Sequence, residues 1–344
     1  MTIRSLLFGA AALTVAAAPA MADSVADFYK GKQVSLTHTG GAGGGFAIYT
    51  RVLAKHMAKH IPGNPNIVVQ FKRGGGGMVG MNYMYNAAAQ DGTYFLMPLP
   101  GIEAQPFLYP KKVKFDITKT QWVGNITQMQ SYISVRPDLG LKSWEDAKKR
   151  VVRLSASGKG SETYITPMLM NAVLGTKFKV ITGYKGIMKA TLAMEKGESD
   201  GRGGGWTANM RPGWFTESPN KVQLLVQSGA QKAKMLYPGQ VSPPNIPLLK
   251  DLAKNDDDRQ LLGLVTRVLA RAVAAPSGVP KARIDAMRVA FDKTLKDPAY
   301  LAEMNKRKMA IESPMNGQEV ATYINGVAST PKRIVDRYIA AVRN

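Results

Sequence analysis

The sequence predicts an α/β protein of about two domains, each a mainly parallel sheet flanked by helices. Three observations lead there. A strand–helix–strand–helix–strand pattern runs from Gln33 to Met97, the arrangement of parallel strands joined by helical crossovers. The pattern restarts near Tyr132. A chain of 344 residues with 45% hydrophobic content is long and apolar enough for two cores of ordinary size.

Taken in order, the chain opens on a segment that reads as an export signal. Met1 to Arg4 is short and positive, Ser5 to Ala18 is apolar, and Ala20-Met21-Ala22 is a small-x-small cleavage pattern. The expectation is cleavage after Ala22 and a periplasmic protein. Asp23 stands where a lipoprotein would need cysteine, and the chain has none, so no lipid anchor is expected. No later apolar run is long enough to span a bilayer.

Gln33–His38 alternates as a strand does, and a glycine loop follows at 40–45. Phe46, Tyr49, Leu53, Met57 and Ile61 then recur at helical spacing. Asn66–Phe71 is a β-branched strand, Gly74–Gly77 a second glycine loop, 79–88 a helix and Tyr94–Met97 a third strand. In the second half, strands are predicted at 132–135, 153–156 and 178–182. Ser143 caps a helix, a loop at 157–161 leads into a helix ending at Leu174, and Ile187–Lys196 is helical. Gly203-Gly204-Gly205-Trp206 forms a further glycine-rich element. From Pro280 the chain reads as helical, with Pro280, Pro298 and Pro331 at helix starts.

Twelve glycines fall in the clusters 40–45, 74–77 and 203–205. The first two lie between a strand and a helix, at the sheet edge where ligands bind in open α/β folds. Glycine there lets backbone N–H groups approach an anion, aided by the unsatisfied donors of a helix start. A single such loop could equally be a tight turn; several of this density favour binding.

Catalytic patterns fail one by one. Gly41-Ala42-Gly43-Gly44-Gly45-Phe46 lacks the third glycine of the dinucleotide fingerprint, and there is no P-loop. Gly197-Glu198-Ser199-Asp200-Gly201 matches G-x-S-x-G but follows a helix, with no histidine after His60. His56 and His60 stand four apart, but Met57 replaces the metalloprotease glutamate and Lys55 and Lys59 would repel a cation; a solvated basic helix face is expected instead. His38, just before the first glycine loop, could reach an anion or be structural. With no cysteine, thiol chemistry, disulfides and cysteine-ligated metals are excluded. No enzyme, metal or cofactor is expected. The net charge of +22 comes without a nucleic-acid module, so steering of small anions or solubility accounts for it.

The segment Phe28-Tyr29-Lys30-Gly31-Lys32-Gln33-Val34, the loop 40–45 and His60-Ile61-Pro62-Gly63-Asn64-Pro65 resemble the solute-binding proteins of tripartite tricarboxylate transporters, the Bug family. The likeness continues through Gly74–Gly80, 82–86, Asp91-Gly92-Thr93, Gly158-Lys159-Gly160-Ser161, 175–180, 182–186, 195–198, 275–280 and Asp297-Pro298.

The resemblance implies a two-lobed periplasmic-binding-protein fold of the type II, flytrap kind. Lobe 1 would hold 23–129 plus 269–344 and lobe 2 130–268, joined by two crossing strands. It implies a monomer that binds a small carboxylate, organic or aromatic, between the lobes and delivers it to a membrane permease. A ligand sensor that presents its closed form to a sensor kinase is the alternative. Carried over by position, the ligand-binding residues are Thr39, Gly43, Gly44, Gly45 and Phe46 in the first loop and Gly75, Gly76, Gly77 and Met78 in the second. Ser157, Gly160, Ser161 and Thr163 start the second-lobe helix, Tyr184 and Gly186 form the next loop, and Gly205 and Trp206 line the far wall. One departure stands out: Ala47 occupies a position where the family commonly has aspartate. Gly203–Gly205 also lacks an acidic group that some relatives carry, which argues weakly against an amino-acid ligand.

Overall fold

The computed structural model describes residues 24–42, 45–205, 214, 221–232, 235–237, 240–241, 246–266 and 269–343. The expected export signal, Gly43, Gly44 and Trp206 lie outside the described residues.

After a short helix α1 (Val25–Tyr29), the predicted βαβαβ unit forms as β1 (Gln33–His38), α2 (Gly45–Met57), β2 (Asn66–Phe71), α3 (Met78–Asn86) and β3 (Tyr94–Met97). All three strands have the bounds the patterning predicts. β1 pairs in parallel with both neighbours, and the register places His38 opposite Phe71 on β2 and Met97 on β3. The carboxyl ends of these strands therefore lie side by side, with the two glycine loops on one edge. β3 shows why a four-residue apolar run suits this place. Phe95 and Met97 enter the core under α2, while Tyr94 and Leu96 enter the core under α3, as expected of a strand covered on both faces.

The chain continues through α4 (Gln105–Leu108) and β4 (Gln121–Asn125), then crosses to a second sheet. There it forms β5 (Ser131–Val135), β6 (Val152–Ser155), α5 (Glu162–Leu174), β7 (Phe178–Ile181), α6 (Ile187–Glu195), β8 (Gly201–Gly205) and β9 (Gln223–Ser228). A small hairpin, β10 (Met235–Tyr237) and β11 (Gln240–Val241), and helix α7 (Asp256–Gly263) follow. The chain then returns as β12 (Ala272–Ala275), α8 (Lys281–Lys296), α9 (Pro298–Lys306), β13 (Met315–Asn316), α10 (Gly317–Ala328) and α11 (Lys332–Arg343). Pro298 occupies the first turn of α9, capped by Asp297, whose side chain accepts the Ala299 N–H. Ser143 opens a capping box as expected, though the helix after it is a single 3₁₀ segment, Trp144–Lys148.

The strand orders are β13-β4-β12-β3-β1-β2 and β7-β6-β8-β5-β9. Both sheets are mixed rather than mainly parallel. The βαβ crossovers make β1, β2 and β3, and likewise β6, β7 and β8, parallel. The strands that leave or re-enter a sheet at the crossings run the other way: β12 is antiparallel to β3 and β4, and β5 to β8 and β9.

Gly203–Gly205, read from the sequence only as a glycine-rich element, ends strand β8 and pairs with Ser131–Ile133 of β5. Glycine is needed there because the neighbours lie so close: a Cβ on Gly201 would sit 2.4 Å from the Ser134 carbonyl oxygen, and one on Gly204 2.2 Å from Ile187 Cδ1. The tail, moreover, does not belong whole to the first sheet. α8, α9 and α10 pack on the first sheet's cores, but Ile334, Tyr338, Ala341 and Val342 of α11 share one core with Leu169 of α5 and Leu261 of α7.

Candidate functional site

A cleft of about 560 Å³ opens where the two sheets face each other, within the size range of small-molecule sites. Gly76 reaches it from the first sheet. The second sheet contributes the β6–α5 loop, Gly186 and Ile187 at the start of α6, and Gly205 at the end of β8. Met129 and Arg271 come from the crossing segments.

The Gly74–Gly77 loop shows why its sequence is all glycine. All four residues have positive φ, at 130°, 56°, 66° and 100°, a run that side chains would make costly. The Gly77 and Val79 N–H groups close the turn by donating to the Gly74 carbonyl, and Gly76 faces the cleft beside Gln105. Across the cleft, α5 begins after Ser161, so the N–H groups of Glu162 and Thr163 have no intrahelical acceptor and carry the positive end of the helix dipole. The hydroxyls here organise the loop itself. Thr163 Oγ1 accepts the Ser157 N–H at 3.1 Å and lies 2.7 Å from Ser161 Oγ, which donates to the Gly158 carbonyl.

The strongest charge in the cleft is Arg271. Its guanidinium lies 4.7 Å from the ring centres of both Phe46 and Tyr49, and one terminal nitrogen donates to the Ala270 carbonyl. Nε is buried without a hydrogen-bond partner. Burial pulls this guanidinium below its usual pKa range, while Tyr49 and Glu162 pull it back; it stays protonated, as arginine does in proteins. The backbone holds it firmly: the Arg271 N–H donates to Asn125 Oδ1 and its carbonyl accepts the Ile126 N–H. Both crossing segments are thereby tied at the same residue. A desolvated, aromatic-stacked guanidinium bordering the cleft suits a carboxylate.

Of the sequence-predicted residues, Phe46, Gly76, Ser157, Gly160, Ser161, Thr163, Gly186 and Gly205 line this cleft. Thr39, Gly77 and Met78 are turned inward. Thr39 Oγ1 accepts the Leu99 N–H and supports the loop after β3, while Gly77 and Met78 are buried at the start of α3. Gly45, Gly75 and Tyr184 lie outside the lining. Ala47 is wholly buried in α2, so the family's aspartate position is a core position in this chain. Sequence reasoning missed Arg271, Glu162, Gly158, Met129, Leu99, Pro100 and Ile187 as lining residues. The available signal for Arg271 was an arginine immediately before an all-apolar strand, Ala272–Ala275.

The motifs set aside earlier find structural places. Ser199 is fully buried; it donates to the Gly201 carbonyl and to Ser155 Oγ. His56 and His60 are not on a solvated face: they pair with Glu303 at 2.8 Å and Asp297 at 3.0 Å, tying α2 and the short turn after it to α9. Among the described residues, no three histidines or acids are grouped to hold a metal ion.

Two sheets, each layered with helices, joined by crossing segments and enclosing a cleft, define a two-lobed binding protein. The tripartite tricarboxylate transporter family receptor model (TctC) matches residues 49–339, so the chain belongs to that family of solute-binding receptors. Solved structures show the same fold. A TctC solute-binding protein from Polaromonas is 19% identical with a TM-score of 0.67, covering 92% of this chain and 99% of its own. Rpa4515 from R. palustris, solved with adipate, is 17% identical at 0.65, covering 89% and 97%. MatC from Rhodopseudomonas palustris, with bound malate, is 17% identical at 0.63, covering 90% and 99%. No curated protein sequence matches the chain.

Proposed function

We propose that this receptor is an extracytoplasmic solute-binding protein that captures a small carboxylate between its lobes and passes it to a membrane permease of the tripartite tricarboxylate type. The observation that carries the reading is Arg271, stacked on two aromatic rings and bordering the cleft. The same cleft is bordered by Gly76 of the glycine turn and by Glu162 and Thr163 at the start of α5. The adipate and malate of the two R. palustris receptors belong to the same chemical class. A solute that touches both lobes favours the closed form, which the permease would read. The export signal expected at residues 1–22 supports a periplasmic setting, and we take the receptor to act as a monomer.

The test is a thermal melt of the purified protein, unfolded and refolded to strip carried-over ligand, against mono-, di- and tricarboxylates. An acid at about 100 times its dissociation constant adds roughly 2.7 kcal/mol, a rise of several degrees for lobes of this size. Arg271→Gln is expected to abolish the rise. A panel with no shift, or a shift that survives Arg271→Gln, would overturn the reading.

A further inference from the structure

The cleft holds an anion as well as a cation. Glu162, the first residue of α5, borders the same cavity as Arg271 but comes from the second lobe. Its Oε2 accepts the Ser131 hydroxyl at 2.9 Å, and its Oε1 has no hydrogen-bond partner. Gly205 lies beside it: a Cβ there would stand 3.7 Å from Glu162 Oε1, an ordinary contact. Arg271 feels the attraction of Glu162, yet among the described residues no direct ion pair joins them, and both border the cleft. The remaining lining includes Phe46, Leu99, Pro100, Met129 and Ile187, which is largely apolar. A second carboxylate on the solute would be driven against Glu162, whereas an ammonium would pair with it.

We infer that the solute is a zwitterion, an amino acid or related amino-carboxylate, with its carboxylate on Arg271, its ammonium on Glu162 Oε1 and an apolar remainder against Phe46, Met129 and Ile187. This rests on the carboxylate-binding reading above and narrows it. It also reverses the expectation drawn from Gly203–Gly205. The acidic group missing from that strand is supplied by α5, reaching over the strand's last glycine.

The experiment compares matched pairs by calorimetry on the stripped protein: phenylalanine with 3-phenylpropionate, and leucine with 4-methylpentanoate, alongside succinate and citrate. The amino member of a pair is expected to bind more than about tenfold tighter, the worth of one charge-assisted contact. Glu162→Gln, which keeps an acceptor for Ser131, is expected to bring each pair to within about threefold, chiefly by weakening the amino member. Its melting temperature without ligand reports whether it folds; Glu162→Asp, which retains the charge on a shorter stem, is expected to keep the amino preference. The inference is overturned if the amino-free acid binds as tightly, if Glu162→Gln leaves the preference unchanged, or if only succinate or citrate binds. In that last outcome carboxylate capture stands. Failure of all six compounds would overturn the zwitterion, and the carboxylate panel would then decide the broader reading on its own.

Discussion

Gly74–Gly77 and Gly201–Gly205 are equally rich in glycine but for opposite reasons. In the first, the backbone demands it: four successive residues have positive φ, which side chains would strain whatever the space around them. In the second, the neighbours demand it. Gly201 has no positive φ, but a Cβ there would sit 2.4 Å from the Ser134 carbonyl oxygen, and one on Gly204, whose φ is also positive, 2.2 Å from Ile187 Cδ1. Glycine density therefore marks a place where backbone comes close to something. It does not tell whether that something is a ligand or the protein itself.

The comparison can be broken by substitution. Gly201→Ala should cost most, about 3 kcal/mol or more, because the added carbon meets a backbone oxygen that cannot move alone; a clear fall in the urea midpoint checks this. A loss below 1 kcal/mol would mean β8 shifts freely. Gly77→Ala should cost less, about 1–3 kcal/mol, from φ near +100° and a contact with Thr39 Oγ1 at 3.1 Å. If Gly77→Ala proved the costlier of the two, the distinction between the clusters would fall. The smallest effect is expected from pH, and it belongs to the first wall alone.

His38 ends β1 beneath the first glycine loop, its Nδ1 accepting the Gly40 N–H and its Nε2 buried without a partner, between the rings of Phe46 and Phe71. Burial, then Arg51 and Arg73, pull its pKa down to about 4. The unfolded chain takes up the proton near 6.5, the folded chain only near 4, so stability should fall as pH drops through that window. Urea midpoints at pH 7.5 and 5 should differ in the wild type and much less in His38→Gln; equal slopes would remove His38 as the cause.

These contrasts also explain what was legible in the sequence. β1, β2 and β3 were read to the residue, because alternation, turn glycines and apolar runs are local signals. The β8 strand was not, since glycine is depleted in strands and only the distant Ser134 and Ile187 explain it. Half of the cleft was legible for the same reason: Gly76 and Ser161 lie in local loop motifs. Arg271 and Glu162 stand 109 positions apart in the numbering, in no shared motif, and only the fold brings them to one cavity. The inward turn of Thr39 was invisible as well, since its partner Leu99 lies beyond β3.

The placement of α11 has a mechanical consequence. Two bodies linked at two points can swing freely about the line through them. Here a third link exists: after α10 on the first sheet, the chain passes Pro331 and anchors α11 in the second sheet's core through Ile334 and Tyr338. A third attachment restrains rotation about that line, so closing the lobes is expected to bend at least one of the three. The short span from Ser329 to Pro331 then acts as a spring in the jaw, setting how far the mouth opens and how much binding energy each closure must spend.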